Sequence, residues 1–152
     1  MKTHTFDSKI WLPQPIEMVF PFFADACNLE RITPPFLKFT VITPAPITLA
    51  RGTRIRYCLR LRGLPISWES EITVWEPPHR FVDEQKHGPY RLWRHEHKFA
   101  ARDGGTEVLD HVQYAAWGGA LVNALFIARD VRDIFDYRSR TLSDLFGSGE
   151  HH

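Results

Sequence analysis

The sequence predicts an α+β domain in which an antiparallel sheet of about seven strands curves around one long C-terminal helix. Three observations carry this reading. Between Gly52 and Tyr114 the chain alternates apolar and polar residues with period two, broken at intervals by Gly and Pro turns. After Gly118-Gly119 the period changes to that of an amphipathic helix. Before the strands, two short helical patterns are each closed by proline. A strongly curved sheet wrapped on a helix need not pack it completely, so an internal cavity is expected between them.

His4 to Trp11 alternates and reads as the first strand, stopped by Pro13 and Pro15. Pro15 also suits the first turn of a helix, and Ile16, Val19, Phe20 and Phe23 follow at helical spacing to about Asp25. Asn28 is placed to cap a second short helix, Leu29 to Ile32, ended by Thr33-Pro34-Pro35. Phe36 to Ile42 reads as an edge strand limited by Pro44 and Pro46.

Arg54 to Arg62 alternates cleanly. Ile55, Tyr57, Leu59 and Leu61 share one face, and Arg54, Arg56, Arg60 and Arg62 the other. After the turn Gly63-Leu-Pro65, Trp68, Ser70, Ile72 and Val74 face inward, with Glu69 and Glu71 outward. The outward arginines and glutamates form a cross-strand charge ladder on a solvated surface. Pro77-Pro78 precedes a strand from Phe81 to His87, and Gly88-Pro89 turns the chain into the next. Asp103-Gly104-Gly105 is a hairpin signal, and Thr106 to Tyr114 is the last strand. The long helix spans Ala120 to about Phe146, with Leu121, Leu125, Ala128, Val131, Phe135, Leu142 and Phe146 on its apolar stripe. Residues 1–146 read as one domain and 147–152 as a flexible tail.

Composition narrows the function. The chain has 152 residues, enough for one real core, and 43% are hydrophobic, too many for disorder. A net charge of +1 argues against a nucleic-acid partner. No apolar run approaches the ~20 residues of a membrane span. Only Cys27 and Cys58 are present, neither with a base beside it, and no secretory leader is apparent; a cytoplasmic protein with reduced thiols is expected. No metal or cofactor motif occurs, so neither group is expected. Five Trp and eleven Phe suit a pocket for apolar or ring-bearing ligands.

The segment Trp93-Arg-His-Glu-His-Lys-Phe99 carries the most chemistry. Trp93, His95, His97 and Phe99 share a face, and it is the inward one, because Arg94, Glu96 and Lys98 occupy the other. Buried imidazoles need partners. Registers counted from the turns place Phe81 opposite His97, Asp83 opposite His95, Gln85 opposite Trp93, Ser70 opposite Gln85 and Ile72 opposite Asp83. They also place Val108 opposite His97 and Asp110 opposite His95, giving a row Asp83, His95, Asp110 across three strands.

Three readings stay open. The row is a satisfied structural network, or the anchor for the polar end of a ligand, or an Asp–His pair for general acid–base catalysis, with candidates His95, His97, Asp83 and Asp110. On the ligand reading, Tyr57, Leu59, Trp68, Ile72, Trp93, Phe99 and Val112 form the wall, with Phe135 from the helix stripe. His95, His97, Asp83, Gln85 and Asp110 form the polar end. Tyr137 and Arg138 either lie at the pocket mouth or are solvated, and the solvated placement is favoured.

Several segments resemble the START-like, or SRPBCC, superfamily and its helix-grip fold. They are Val19-Phe-Pro-Phe-Phe-Ala-Asp-Ala26 with Asn28-Leu29 and Thr33-Pro34-Pro35, the turn Arg62-Gly-Leu-Pro65, Gly88-Pro-Tyr-Arg-Leu-Trp-Arg-His-Glu-His97, and Ile134-Phe-Asp-Tyr-Arg138. The resemblance covers nearly the whole chain and is to an uncharacterised ligand-binding branch. It implies a non-catalytic carrier or sensor of a small hydrophobic, lipid- or polyketide-like molecule. Other members cyclise polyketides, which implies the alternative of a cyclase or dehydratase. Some of the branch are fused to an epimerase-like reductase domain, which makes such a reductase a candidate partner. A second copy of the chain is another.

Overall fold

The computed structural model describes residues 2–61, 63–118 and 127–147. Its elements are β1 (His4–Leu12), α1 (Ile16–Phe23), β2 (Thr40–Val41), β3 (Arg54–Leu61), β4 (Leu64–Glu76), β5 (Arg80–His87), β6 (Tyr90–Arg102), β7 (Gly105–Ala116) and α2 (Ala128–Phe146). Short 3-10 turns cover Ala26–Glu30 and Pro35–Leu37. All seven strands form one antiparallel sheet in the order β1-β7-β6-β5-β4-β3-β2. Helix α2 packs on edge strand β1 and also reaches side chains of β3, β4 and β5, so the sheet curves around it.

Local chemistry explains most of this. Helix α1 buries Ile16, Val19, Phe20 and Phe23, and Phe20 packs against Trp75, Phe81 and Phe99 at 5.5, 6.1 and 5.2 Å between ring centres. This aromatic plug fills one end of the sheet. In α2, Val131, Phe135, Arg138 and Leu142 are the buried positions, spaced three or four apart. The predicted helical turns over 120–126, with Leu121 and Leu125, lie outside the described residues, as do Arg62 and the tail beyond Gly147. The outer ladder forms as expected, with Arg54 bonded to both Glu69 and Glu71.

Four expectations are corrected. The cap of the 3-10 turn after α1 is Asp25, whose carboxylate accepts from the Cys27 N–H at 3.0 Å; Asn28 instead donates to the Phe22 carbonyl. The strand read over Phe36–Ile42 shrinks to Thr40–Val41, because Pro35–Leu37 coils and Lys38 turns left-handed (φ 48°). A bulge between Ile72 and Val74 shifts the alternation of β4, so Trp75, not Val74, joins the inward aromatic cluster.

The fourth correction matters most. Asp103 (φ 50°) and Gly104 (φ 77°) form a two-residue turn with both residues left-handed, and Arg102 pairs with Gly105. His97 therefore lies opposite Asp110, and His95 opposite Val112, two residues from the expected register. The expected pairs Phe81–His97, Asp83–His95, Ser70–Gln85 and Ile72–Asp83 are found.

Candidate functional site

On the inward face of β5, β6 and β7, the register places two histidines and two aspartates together. The hydrogen bonds run diagonally. His97 Nε2 lies 2.7 Å from Asp83 Oδ2 on β5, and His95 Nε2 lies 2.7 Å from Asp110 Oδ1 on β7. The expected single row is thus two crossed His–Asp pairs. The rings stack in a column: His95 on His97 at 3.7 Å, and His97 on its cross-strand partner Phe81 at 4.1 Å. His95, His97 and Asp110 are all buried.

From α2, Arg138 enters the same cluster. It is 7% exposed, where the sequence favoured solvent over the pocket mouth. Its position three residues after Phe135 and four before Leu142 puts it on the buried stripe, the signal that finds it. Its guanidinium sits 5.4 Å from the ring centres of both Phe23 and Phe135. Arg138 Nη2 approaches Asp110 Oδ1 to 3.1 Å; the charges attract, but the approach is off the axis of a hydrogen bond. Asp110 Oδ1 is the hub, also 3.5 Å from His97 Nδ1.

Electrostatics follow from burial. For His97, burial and then the neighbouring His95 push the imidazole down to about 4, outweighing the Asp83 bond. His97 is therefore neutral at pH 7. Its bond to the Asp83 carboxylate assigns the single proton to Nε2 and leaves Nδ1 as a lone-pair acceptor. Burial alone would raise both carboxyls. The His97 hydrogen bond reverses this for Asp83, and the Arg138 charge with the His95 bond reverses it for Asp110, so both stay below the usual carboxylate range. Burial, with the Asp83 charge, drives the Tyr57 phenol far up, so it stays protonated.

A cavity of about 150 Å³ lies between the sheet, α2 and the segment after α1. Tyr57, Leu59, Trp68, Trp93 and Phe135 line it, with Asp83, His95, His97 and Arg138 at its polar end. A chamber of about 40 Å³ adjoins, sharing Tyr57, Asp83, His97 and Arg138, and Ile72 reaches only this smaller space. The wall's polar tips are satisfied internally: Tyr57 Oη and Trp68 Nε1 both donate to Ser70 Oγ, at 2.6 and 2.9 Å.

Three expected site residues lie elsewhere. Gln85 turns back on its own hairpin, bonding both the N–H and the carbonyl of Tyr90. Phe99 packs with Phe20, Phe23 and Phe81. Val112 is fully buried in a second cluster with Tyr90, Tyr114 and Phe135. Leu29, Thr33, Leu37, Phe39, Val131 and Ile134 also line the cavity; the first four come from a segment read only as helix and edge strand. Two larger surface grooves, about 490 and 550 Å³, open on charged outer faces near Arg56 and Glu69 and near Lys9 and Lys98; the first also touches Tyr57 and Trp68, and the second Asp110.

Asp83, His95 and His97 offer donor atoms within 4.8 Å of one another, residue types that a transition ion takes. Both Nε2 atoms already face carboxylates, and the Arg138 cation beside Asp110 disfavours a second positive charge. Chemically, the cluster holds and relays protons more readily than it holds an ion.

Solved structures of the same architecture align over nearly the full chain. Protein CV1439 from Chromobacterium violaceum matches with TM-score 0.74 at 12% identity, over 94% of this chain and 96% of that one. The crystal structure of Ara h 8.0201 matches with TM-score 0.71 at 15% identity, over 95% and 98%. The chain has the helix-grip α+β fold. Major latex-like protein 151 from Panax ginseng matches with TM-score 0.70 at 9% identity, over 95% and 97%. No protein-family model matches the chain, and a comparison with curated proteins finds no match. Among the described residues no helix is long and apolar enough to cross a membrane.

Proposed function

We propose that this chain reversibly binds a small hydrophobic or aromatic molecule in the cavity between sheet and α2, as a carrier or sensor. The observation that supports this is the lining: aromatic and aliphatic on the wall, with four ionisable groups gathered at one end. A site that takes its affinity from apolar area and its orientation from a few converging polar groups is the usual form of a ligand pocket. At about 150 Å³ it is well below the roughly 300–1,000 Å³ of drug-sized pockets. The ligand class is therefore small, on the order of one ring, unless the walls open. Native mass spectrometry of protein purified without detergent tests the reading, with titration of single-ring probes followed by NMR. Discrete bound mass, or saturable shifts confined to cavity residues, is the expected result. Shifts spread over the surface grooves instead would overturn it.

A second reading is favoured by one observation. His97 lines the cavity with Asp83 behind it, and the ring nitrogen facing away from Asp83 carries a lone pair. That arrangement suits a general base, as a cyclase or dehydratase acting on a polyketone would need. Turnover assays on short polyketones separate it from simple binding.

A further inference from the structure

We propose that the inner end of the cavity is a seat for an acid-type donor–acceptor group, O=C–OH or its vinylogue in an enolised 1,3-diketone, taken up in protonated form on a single-ring ligand. This rests on the cavity being a ligand site and names the chemistry of its occupant.

The argument starts from unpaired atoms. Among the described residues, the buried side-chain atoms without a hydrogen-bond partner are Thr73 Oγ1, His97 Nδ1, Arg138 Nε and Arg138 Nη2. Thr73 lies at the β4 bulge. The other three belong to two residues that line both chambers, His97 at 3% and Arg138 at 7% exposure. Each such atom is costly while unpaired, so a partner that satisfies all three binds with that penalty relieved.

Their polarity reads as a template. His97 Nδ1 accepts; the two Arg138 nitrogens donate. Both residues approach the same Asp110 oxygen, so acceptor and donors are neighbours. The complement is a hydroxyl that donates to His97 beside a carbonyl that accepts from Arg138. A carboxylic acid and a 1,3-diketone enol both hold those two groups on one rigid plane.

Charge decides the protonation state. The groups lining the seat are Asp83 from β5, His95 from β6, Arg138 from α2 and the Tyr57 phenol from β3, with Asp110 from β7 behind Arg138. Asp110 already meets the guanidinium, and Asp83 is bonded to a neutral His97. An incoming carboxylate would add a third negative charge in a buried site. The neutral acid adds none, so a carboxylate from neutral solution gains one proton as it enters. Size sets the rest: a cavity of about 150 Å³ holds one benzene-sized ring.

The test uses the full wild-type chain and two matched probes, benzoic acid and toluene, titrated by NMR between pH 5 and pH 7.5. Calorimetry in buffers of different ionisation enthalpy counts protons. The expected result is one proton taken up per benzoic acid, an affinity falling about tenfold per pH unit, and toluene binding independent of pH. The double variant Arg138→Met, Asp110→Asn, which removes one charge of each sign, is expected to lose at least tenfold for benzoic acid and little for toluene. If the double variant does not fold, the wild-type proton count still decides. Toluene binding with benzoic acid no better and pH-independent overturns the seat while the ligand site stands. Benzoic acid binding without proton uptake also overturns it. Binding of neither probe overturns seat and ligand site together.

Discussion

Acidifying this protein from pH 7 to pH 4 is expected to remove about 3 kcal/mol of stability through His97 alone. The folded imidazole is pushed from the ordinary 6.5 down to about 4. The unfolded chain therefore takes the proton first, and acid favours unfolding: the contribution is full above about pH 6.5, shrinks as the pH falls, and is exhausted once the folded ring protonates near 4. Two and a half units at about 1.36 kcal/mol each give the figure. No discount for solvent is due, because the ring is buried between Phe81 and His95. Against a typical total of roughly 5–15 kcal/mol the effect is large. Urea unfolding at a series of pH values measures it, and the reference is the double variant Asp83→Asn, His97→Gln, which keeps a polar pair and removes both titrations. Removing His97 alone would leave a buried carboxylate unpaired, with a pH dependence of its own. Asp83 and Asp110, held below the carboxylate range, act in the same direction but below the window used. The wild type should lose about 3 kcal/mol more than the variant, and the His97 ring resonances should stay flat down to pH 5. Equal pH dependence in the two proteins, or His97 resonances moving near pH 6.5, would refute the burial argument.

Other expectations are simpler. Asp110→Asn strips the hub from Arg138 and His95 and is expected to destabilise the fold by about 3–5 kcal/mol, read as a lower urea midpoint with unchanged m. Ser70→Ala leaves the Tyr57 hydroxyl and the Trp68 indole N–H without their acceptor; a loss of about 1–3 kcal/mol and a shift in tryptophan emission are expected. Gly104→Val forces a β-branched residue to φ 77° and should lower the melting temperature while leaving the cavity residues' NMR shifts in place. Gln85→Ala should loosen the β5–β6 hairpin in hydrogen exchange yet leave probe binding unchanged, because Gln85 does not line the cavity.

How much of this was legible depended on whether local pattern decided the feature. Alternation located the long strands, because each has one apolar and one charged face, as in Arg54–Leu61. It overran β2, where Lys38 and the preceding coil leave only two paired residues. Inward placement of His95 and His97 followed from their charged neighbours. Their partners did not, because the count across the Asp103-Gly104 turn depends on which residues loop out, and moving the turn's centre by one residue moves Asp110 from His95 to His97. Arg138 was misread for a different reason. Residue type argued for solvent while helical phase argued for the core, and phase won because Asp110 waits on the facing strand. Gln85 was drawn into the site by phase alone, whereas a side chain beside a tight turn satisfies that turn's backbone first.

The crossed His–Asp pairs have a mechanical consequence. A strand ladder tolerates sliding by two residues, since every backbone bond can reform with the next partner. Diagonal side-chain ties do not: sliding β6 along β5 breaks the His97–Asp83 tie, and sliding it along β7 breaks the His95–Asp110 tie. They triangulate β5, β6 and β7 as cross-braces stiffen a frame. Braced strands β5 and β6 carry part of the cavity wall. On the proposed binding reading, a ligand is expected to exchange on the other side, past Leu29, Thr33, Leu37 and Phe39, at a rate set by how often that unbraced side parts.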